Sequence, residues 1–226
     1  MAETTDPMYD LSGVLDVEDM ASVEAGRSLL VTGPAMSGKE AFVLDALGDG
    51  LTAGETAIAV TTDSPVSTVI AGLEARVEDI DHRRVGVIDC RADSESAGAE
   101  ADSEGYVHHV RAPSDLTGIG IGITNGFERF SDKGYDRGRV GLTSLSTMLT
   151  YTDRRTVFKF CHVLSSRLDN SEYVGLFTID DTAHDDQTMG VLKQAFDGMI
   201  EIRADDDLRE ARVRGLGPEP SDWVQF

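Results

Sequence analysis

The chain has 226 residues, 41 of them Asp or Glu against 20 Lys or Arg, for a net charge of −21. That length suits one large domain burying about 70% of the surface its unfolded chain exposes, so no disulfide or bound metal is needed to hold it together. The charge excludes nucleic acid from most of the surface, and the lack of an apolar run of about 18 residues or of a basic-then-apolar leader predicts a soluble, cytoplasmic protein without membrane contact.

Residues 1–25 read as a polar, acidic lead-in with an amphipathic patch at Leu11, Val14, Leu15, Val17 and Met20. From Arg27 a short apolar strand ends at Gly33, and Lys39 to Leu47 carries Ala41, Phe42, Leu44, Ala46 and Leu47 at helical spacing, closed by Gly48 and Gly50. A second strand spans Thr56 to Thr61, and Asp63-Ser64-Pro65 turns into a helix from Val66 to about Glu78. A third strand, Arg84 to Asp89, ends in an acid. Arg91 to Gly105, acidic and rich in Ser, Ala and Gly, reads as an exposed excursion.

Tyr106 to Arg111 suggests a short strand, and Leu116 to Phe130 a helix weakened by its glycines. A fourth buried strand at Arg139 to Leu142 precedes an amphipathic helix, Arg154 to Arg167, with Val157, Phe160, Cys161 and Leu164 on one face. Then come a strand at Val174 to Ile179, a helix at Gln187 to Phe196, a strand at Gly198 to Arg203 and an antiparallel return at Leu208 to Arg214. Continuous apolar strands alternating with helices predict an α/β fold with a mostly parallel central sheet, helices on both faces and a C-terminal antiparallel hairpin. The domain is expected over residues 26–215, with 216–226 as a peripheral tail.

The segment Gly33-Pro34-Ala35-Met36-Ser37-Gly38-Lys39 separates Gly33 from the Gly38-Lys39 pair by four residues, the spacing of a phosphate loop. Successive amides between a strand and a helix N-terminus make a concave seat for a polyphosphate. Gly33 permits a tight turn, Gly38 permits close approach, and Lys39 reaches the outer phosphates. Position 40 holds Glu where a Ser or Thr hydroxyl would ligand magnesium. A carboxylate adds negative charge beside phosphate; Glu40 either ligands the metal itself, pairs with Lys39, or favours the first helical turn through the dipole.

Further marks are Thr61-Thr62-Asp63 after the second strand, Arg139 to Ser146 at the fourth, Phe196 to Arg203, and Arg212-Val213-Arg214-Gly215. With the glycine-rich loop, these resemble the KaiC-like branch of RecA-like phosphate-loop ATPases, over about Leu11 to Gly215. The composition, with 16 Arg among its basic residues, is similar to that of proteins from halophilic archaea whose cytoplasm screens charge heavily.

The resemblance implies a RecA-like fold and an ATP or ADP site at Gly33, Pro34, Ala35, Met36, Ser37, Gly38, Lys39, Glu40 and Thr143. It implies catalytic acids after the second strand, where this chain has Asp63 followed by Ser64. It implies an acid ending the fourth strand to hold magnesium through water, where this chain has Thr143. It also implies basic residues that reach the neighbouring subunit's nucleotide, at the positions of Arg212 and Arg214; these equally suit surface ion pairs. Departures at Glu40, Ser64 and Thr143 disfavour magnesium and predict weakened or lost ATPase activity. The expected role is a regulatory or scaffolding one, through a protein partner or self-association. The alternatives are a divergent magnesium-dependent ATPase with a trans-acting arginine, and a recombination or repair accessory that binds a recombinase rather than DNA.

Asp89 reads as a strand-end acid with a structural role rather than a metal ligand. His108 and His109 alternate across a strand, and with His162 and His184 they lack metal-site spacing. Asp180 and His184, after the fifth apolar strand, either face a ligand crevice or belong to an acidic helix start whose Asp residues act as caps. The hydroxyls from Ser144 to Thr150, with Arg154 and Arg155 beyond, suit hydrogen bonds to water or phosphate but supply no strong base. Cys90 and Cys161 sit in apolar contexts that predict buried free thiols.

Overall fold

A computed structural model describes residues 8–15, 17, 22–91, 105–205 and 208–226, and the backbone of 98–100. Met20 of the amphipathic patch and most of the acidic excursion lie outside the described residues. The strands are β1 (Met8–Asp10), β2 (Ser22–Glu24), β3 (Ser28–Gly33), β4 (Thr56–Thr61), β5 (Val85–Asp89), β6 (Gly98–Glu100), β7 (Tyr106–His109), β8 (Gly138–Thr143), β9 (Val174–Asp180), β10 (Gly198–Asp205), β11 (Leu208–Arg214) and β12 (Val224–Gln225). The helices are α1 (Lys39–Thr52), α2 (Val66–Glu74), α3 (Leu116–Ser131), α4 (Leu145–Tyr151), α5 (Arg154–Asp169) and α6 (Asp186–Leu192).

The main sheet is ten-stranded, in the order β12-β11-β10-β3-β9-β8-β4-β5-β7-β6. From β10 to β7 the neighbours run parallel, and the antiparallel pairs β10–β11, β11–β12 and β6–β7 lie at its ends. This is a mixed α/β fold with a mostly parallel sheet flanked by helices. Side chains alternate across each strand, so Leu29, Val31, Ala57, Ala59, Val174 and Leu176 join α1 and α2 in one core. Leu30, Ile58, Val60, Phe177 and Ile179 join α3, α4, α5 and α6 in the other. The crossover from β3 through α1 to β4 passes over β9 and β8, which brings the C-terminal ends of β3, β9, β8 and β4 to one edge.

Several boundaries differ from the sequence expectation. Helix α1 does not close at Gly48 and Gly50 but runs through both, because these glycines permit close packing. A Cβ on Gly50 would stand 2.7 Å from Arg139 Nε and from Glu55 Oε2. Arg139 is 1% exposed; it donates to Glu55 at 2.7 Å, Asp49 at 3.1 Å, and the carbonyls of Ala46 and Asp10 at 2.8 Å each. A guanidinium taken this far from water requires that full set of acceptors.

Helix α3 is continuous despite its glycines, two of which, Gly122 and Gly126, face inward. A Cβ on Gly122 would meet the His108 ring at 2.6 Å, and one on Gly126 would meet Ile58 at 2.9 Å. The lead-in contributes a separate two-stranded sheet, β1–β2; Leu11, Leu15 and Val17 of the patch lie between its strands and join Tyr9 of β1 in the first core. The segment after β8 is a helix, α4, capped by the Ser144 hydroxyl, which accepts from the Thr147 amide at 3.3 Å.

The expected peripheral tail adds β12 to the sheet and sets the Phe226 ring edge-on to Phe42, with centroids 5.2 Å apart. An aromatic ring beside the apolar core has more to gain from docking there than from water. Cys90 and Cys161 are free, buried thiols; burial pushes Cys161 up to about 12 and raises Cys90 as well.

Candidate functional site

β3 ends at Gly33, which pairs in register with Asp180 at the end of β9. The chain then turns tightly: the Ser37 amide donates to the Pro34 carbonyl at 3.2 Å, and Met36 and Gly38 both have positive φ, 63° and 92°. Met36 is 91% exposed. Gly38 precedes α1 and offers no side-chain cap, and the first helical bond runs from the Phe42 amide to the Gly38 carbonyl at 2.9 Å. The amides at the start of α1 thus receive no side-chain acceptor, which together with the helix dipole makes this turn attractive to an anion. Ser37 Oγ is buried without a hydrogen-bond partner among the described residues, and it sits 2.8 Å from where a Gly33 Cβ would stand. A buried hydroxyl left unpaired costs about 1–3 kcal/mol, so this atom is open to a further hydrogen-bond partner.

Lys39 is 1% exposed. Its ammonium donates to the Pro34 carbonyl at 3.1 Å, lies 3.4 Å from Glu40 Oε1, and is ion-paired to Asp180. Glu40 pairs with Lys39 and also lies in the first turn of α1, where its carboxylate suits the helix dipole. Asp180 faces the crevice, whereas Asp185 acts as a cap, its carboxylate accepting from the Thr188 amide at 2.7 Å to start α6. The cap reading of this acidic stretch therefore holds for Asp185, while Asp180 reaches the glycine turn through Lys39. The Ser146 hydroxyl accepts from the Asp180 amide at 2.9 Å and meets His184 Nε2 at 2.8 Å, fixing the backbone beneath the Asp180 carboxylate.

Glu40, Asp63, Ser64 and Thr143 come together around one cleft of about 100 Å³ between α1 and α2, with Val43, Leu44 and Val69 as apolar walls. Asp63 is exposed. The Thr143 hydroxyl points back to the Val60 carbonyl at 3.4 Å, and the Thr143 carbonyl accepts from the Thr62 amide at 2.9 Å and from its hydroxyl at 3.0 Å. Among the described residues, no group of three or more His, Cys, Asp or Glu side chains converges to hold an ion. The donor set of the turn fits an anion, and the cleft beside it is lined by the Glu40 and Asp63 carboxylates.

Arg212 and Arg214 are not brought to the turn. Both bond Glu201, Arg212 Nε to Oε2 at 2.6 Å and Arg214 Nη1 to Oε1 at 3.1 Å, and Arg212 also stacks on Trp223 at 4.6 Å. Burial raises the Glu201 carboxyl, but these two guanidinium groups more than offset it and hold it below the usual carboxylate range. Asp89 is fully buried at the end of β5; Arg91 grips it with two bonds of 2.8 and 3.0 Å, and His109 Nδ1 lies 3.4 Å away. His108 packs instead against α3, so the adjacent histidines do face opposite ways.

Sequence reasoning passed over Arg209. Its side chain lies along the glycine turn, with Cδ, Nε and Nη1 each 3.1 Å from the place of a Gly38 Cβ. The hairpin register pairs Ala204 with Arg209 and Glu201 with Arg212; spacing along the chain does not reveal which arginine that register delivers to the turn.

No helix among the described residues is long and apolar enough to cross a membrane. The chain has no match among curated proteins. A family match covers residues 26–202, from just before β3 into β10; it contains the glycine turn, the cleft and Asp180 and stops short of Arg209. The chain therefore belongs to the family described as Family of unknown function (DUF7504).

Proposed function

We propose that this chain is a RecA-like domain of the KaiC-like kind in which ATPase activity is weakened or lost, acting as a regulatory or scaffolding protein in a salt-rich cytoplasm. It works by binding a protein partner or itself. The observation that carries this reading is the condition of Lys39, neutralised by Asp180 and Glu40. Support also comes from the cleft next to it, where Thr143 bonds back to the sheet and Asp63 is the acid left at the water-activating position. A site that must bind MgATP and orient water needs a free lysine, an oxygen ligand at position 40 and a positioned carboxylate.

Calorimetric titration with ATP and magnesium in molar potassium chloride, alongside a phosphate-release assay, tests this. The expected outcome is no micromolar binding and no hydrolysis above that of Lys39→Ala. Micromolar binding, or turnover that Lys39→Ala abolishes, overturns the reading. It would favour instead the divergent ATPase, which draws support from Glu40 and Asp63 facing one cleft.

A further inference from the structure

Four arginines lie on the β10–β11 hairpin, and three have acidic partners within it: Arg203 bonds Glu210 at 2.7 Å, and Arg212 and Arg214 share Glu201. Arg209 is exposed and lies against Gly38, with its guanidinium Nε and Nη1 3.1 Å from the place of a Cβ. Gly38 immediately precedes the uncapped amides of α1. On the inner side, the buried Ser37 hydroxyl lacks a partner among the described residues, and Lys39 lies at the base. Hydrogen-bond donors therefore bracket the turn from both sides. The positions that would handle a divalent cation carry Glu40, which pairs with Lys39, and Thr143, which bonds to the sheet.

Resting on the phosphate-loop reading above, we propose that the turn binds a terminal diphosphate group free of divalent metal, with Arg209 supplying in cis the positive charge a magnesium ion would otherwise bring. A guanidinium presents a planar fork that grips two phosphate oxygens at once, and it needs no carboxylate or hydroxyl ligand to keep it in place. A magnesium complex of the same ligand brings a dication up against Arg209 and Lys39, so magnesium opposes binding here. The occupant displaces Asp180 from Lys39 and completes the Ser37 hydroxyl.

The test is titration of the full chain with inorganic pyrophosphate and, separately, with ADP, in molar potassium chloride containing EDTA. At that ionic strength the Debye length is about 3 Å, so only direct contacts register. Arg209→Ala is expected to weaken binding by about ten- to a hundredfold, the worth of a charge-assisted hydrogen bond. Arg203→Ala removes the same charge from the same hairpin and is expected to stay within about twofold of the parent, as non-specific attraction would not. Excess magnesium is expected to weaken binding in the parent. ADP binding much tighter than pyrophosphate identifies a nucleoside diphosphate as the source; equal binding identifies the inorganic group, and either supports the proposal. Parent-like affinity in an Arg209→Ala variant that melts like the parent overturns it, leaving the silenced-domain reading intact. So does a parent that binds neither ligand. Binding strengthened by magnesium overturns both.

Discussion

The Lys39 ammonium at the start of α1 is ion-paired to the Asp180 carboxylate at the end of β9, with the lysine 1% exposed and the aspartate 25%. The two residues close the glycine turn on itself, since any phosphate that takes up Lys39 must first displace Asp180. Asp180→Asn keeps the shape and removes the competing charge. Affinity for pyrophosphate is expected to rise by about three- to tenfold. Stability without ligand is expected to fall by about 1–3 kcal/mol, because a buried ammonium loses its strongest partner while the open side of the pair was already screened. Calorimetry and thermal melts of one preparation should move in opposite directions; unchanged affinity would mean that Asp180 does not guard the turn.

Arg139 joins β8 to α1, to Glu55 after it and to Asp10 of β1 through four acceptors. Arg139→Met leaves Glu55 without its close partner in a largely dry setting and is expected to cost about 3–5 kcal/mol. Urea unfolding in constant high salt measures this. A loss below about 1 kcal/mol would show that water reaches the site and replaces the guanidinium.

Asp89 carries a pH dependence. Burial raises its carboxyl, but the Arg91 fork, the Arg91 amide and His109 outweigh that and hold it below its ordinary value of 3.8. A depressed folded-state value contributes stability that is complete above the unfolded value and disappears as pH falls through the folded one. Arg91→Ala is therefore expected to cost about 1–2 kcal/mol at pH 7, a figure reduced for the partial exposure of Arg91. The difference from the parent should shrink below about pH 4, as Asp89 protonates in the variant. A gap that stays constant down to pH 3 would assign the loss to packing rather than charge.

Phe226 closes the chain against Phe42 of α1, and its amide donates to the Arg209 carbonyl at 3.2 Å. Phe226→Ala is expected to lower stability by about 1–2 kcal/mol. Because the tail is bonded to the backbone of Arg209, the same change is expected to weaken pyrophosphate binding by a few-fold, less than Arg209→Ala does. Paired melts and titrations check both; an unaltered melt would mean that the tail rests on the surface without holding it.

The parallel sheet, its helices and the hairpin were legible because each depends on short-range periodicity: apolar runs at β3, β4, β5, β8 and β9, and helical spacing in α1 and α5. The glycine turn was legible for the same reason, since Gly33, Gly38 and Lys39 are neighbours in the chain. What escaped were contacts between residues far apart in sequence. Gly48 and Gly50 read locally as helix stops, but Arg76 and Val77 pack on the first and Arg139 from β8 fills the space beside the second; the tail reads as peripheral, but Phe226 meets Phe42. Arg209 could not be told from Arg212 or Arg214 by composition, because a hairpin's register decides which side chain reaches which neighbour. Local patterns in the chain determined what lies at the turn; only the fold decided that Asp180 and Arg209 flank it, since long-range pairing is set by how the strands stack and not by any run of neighbouring residues.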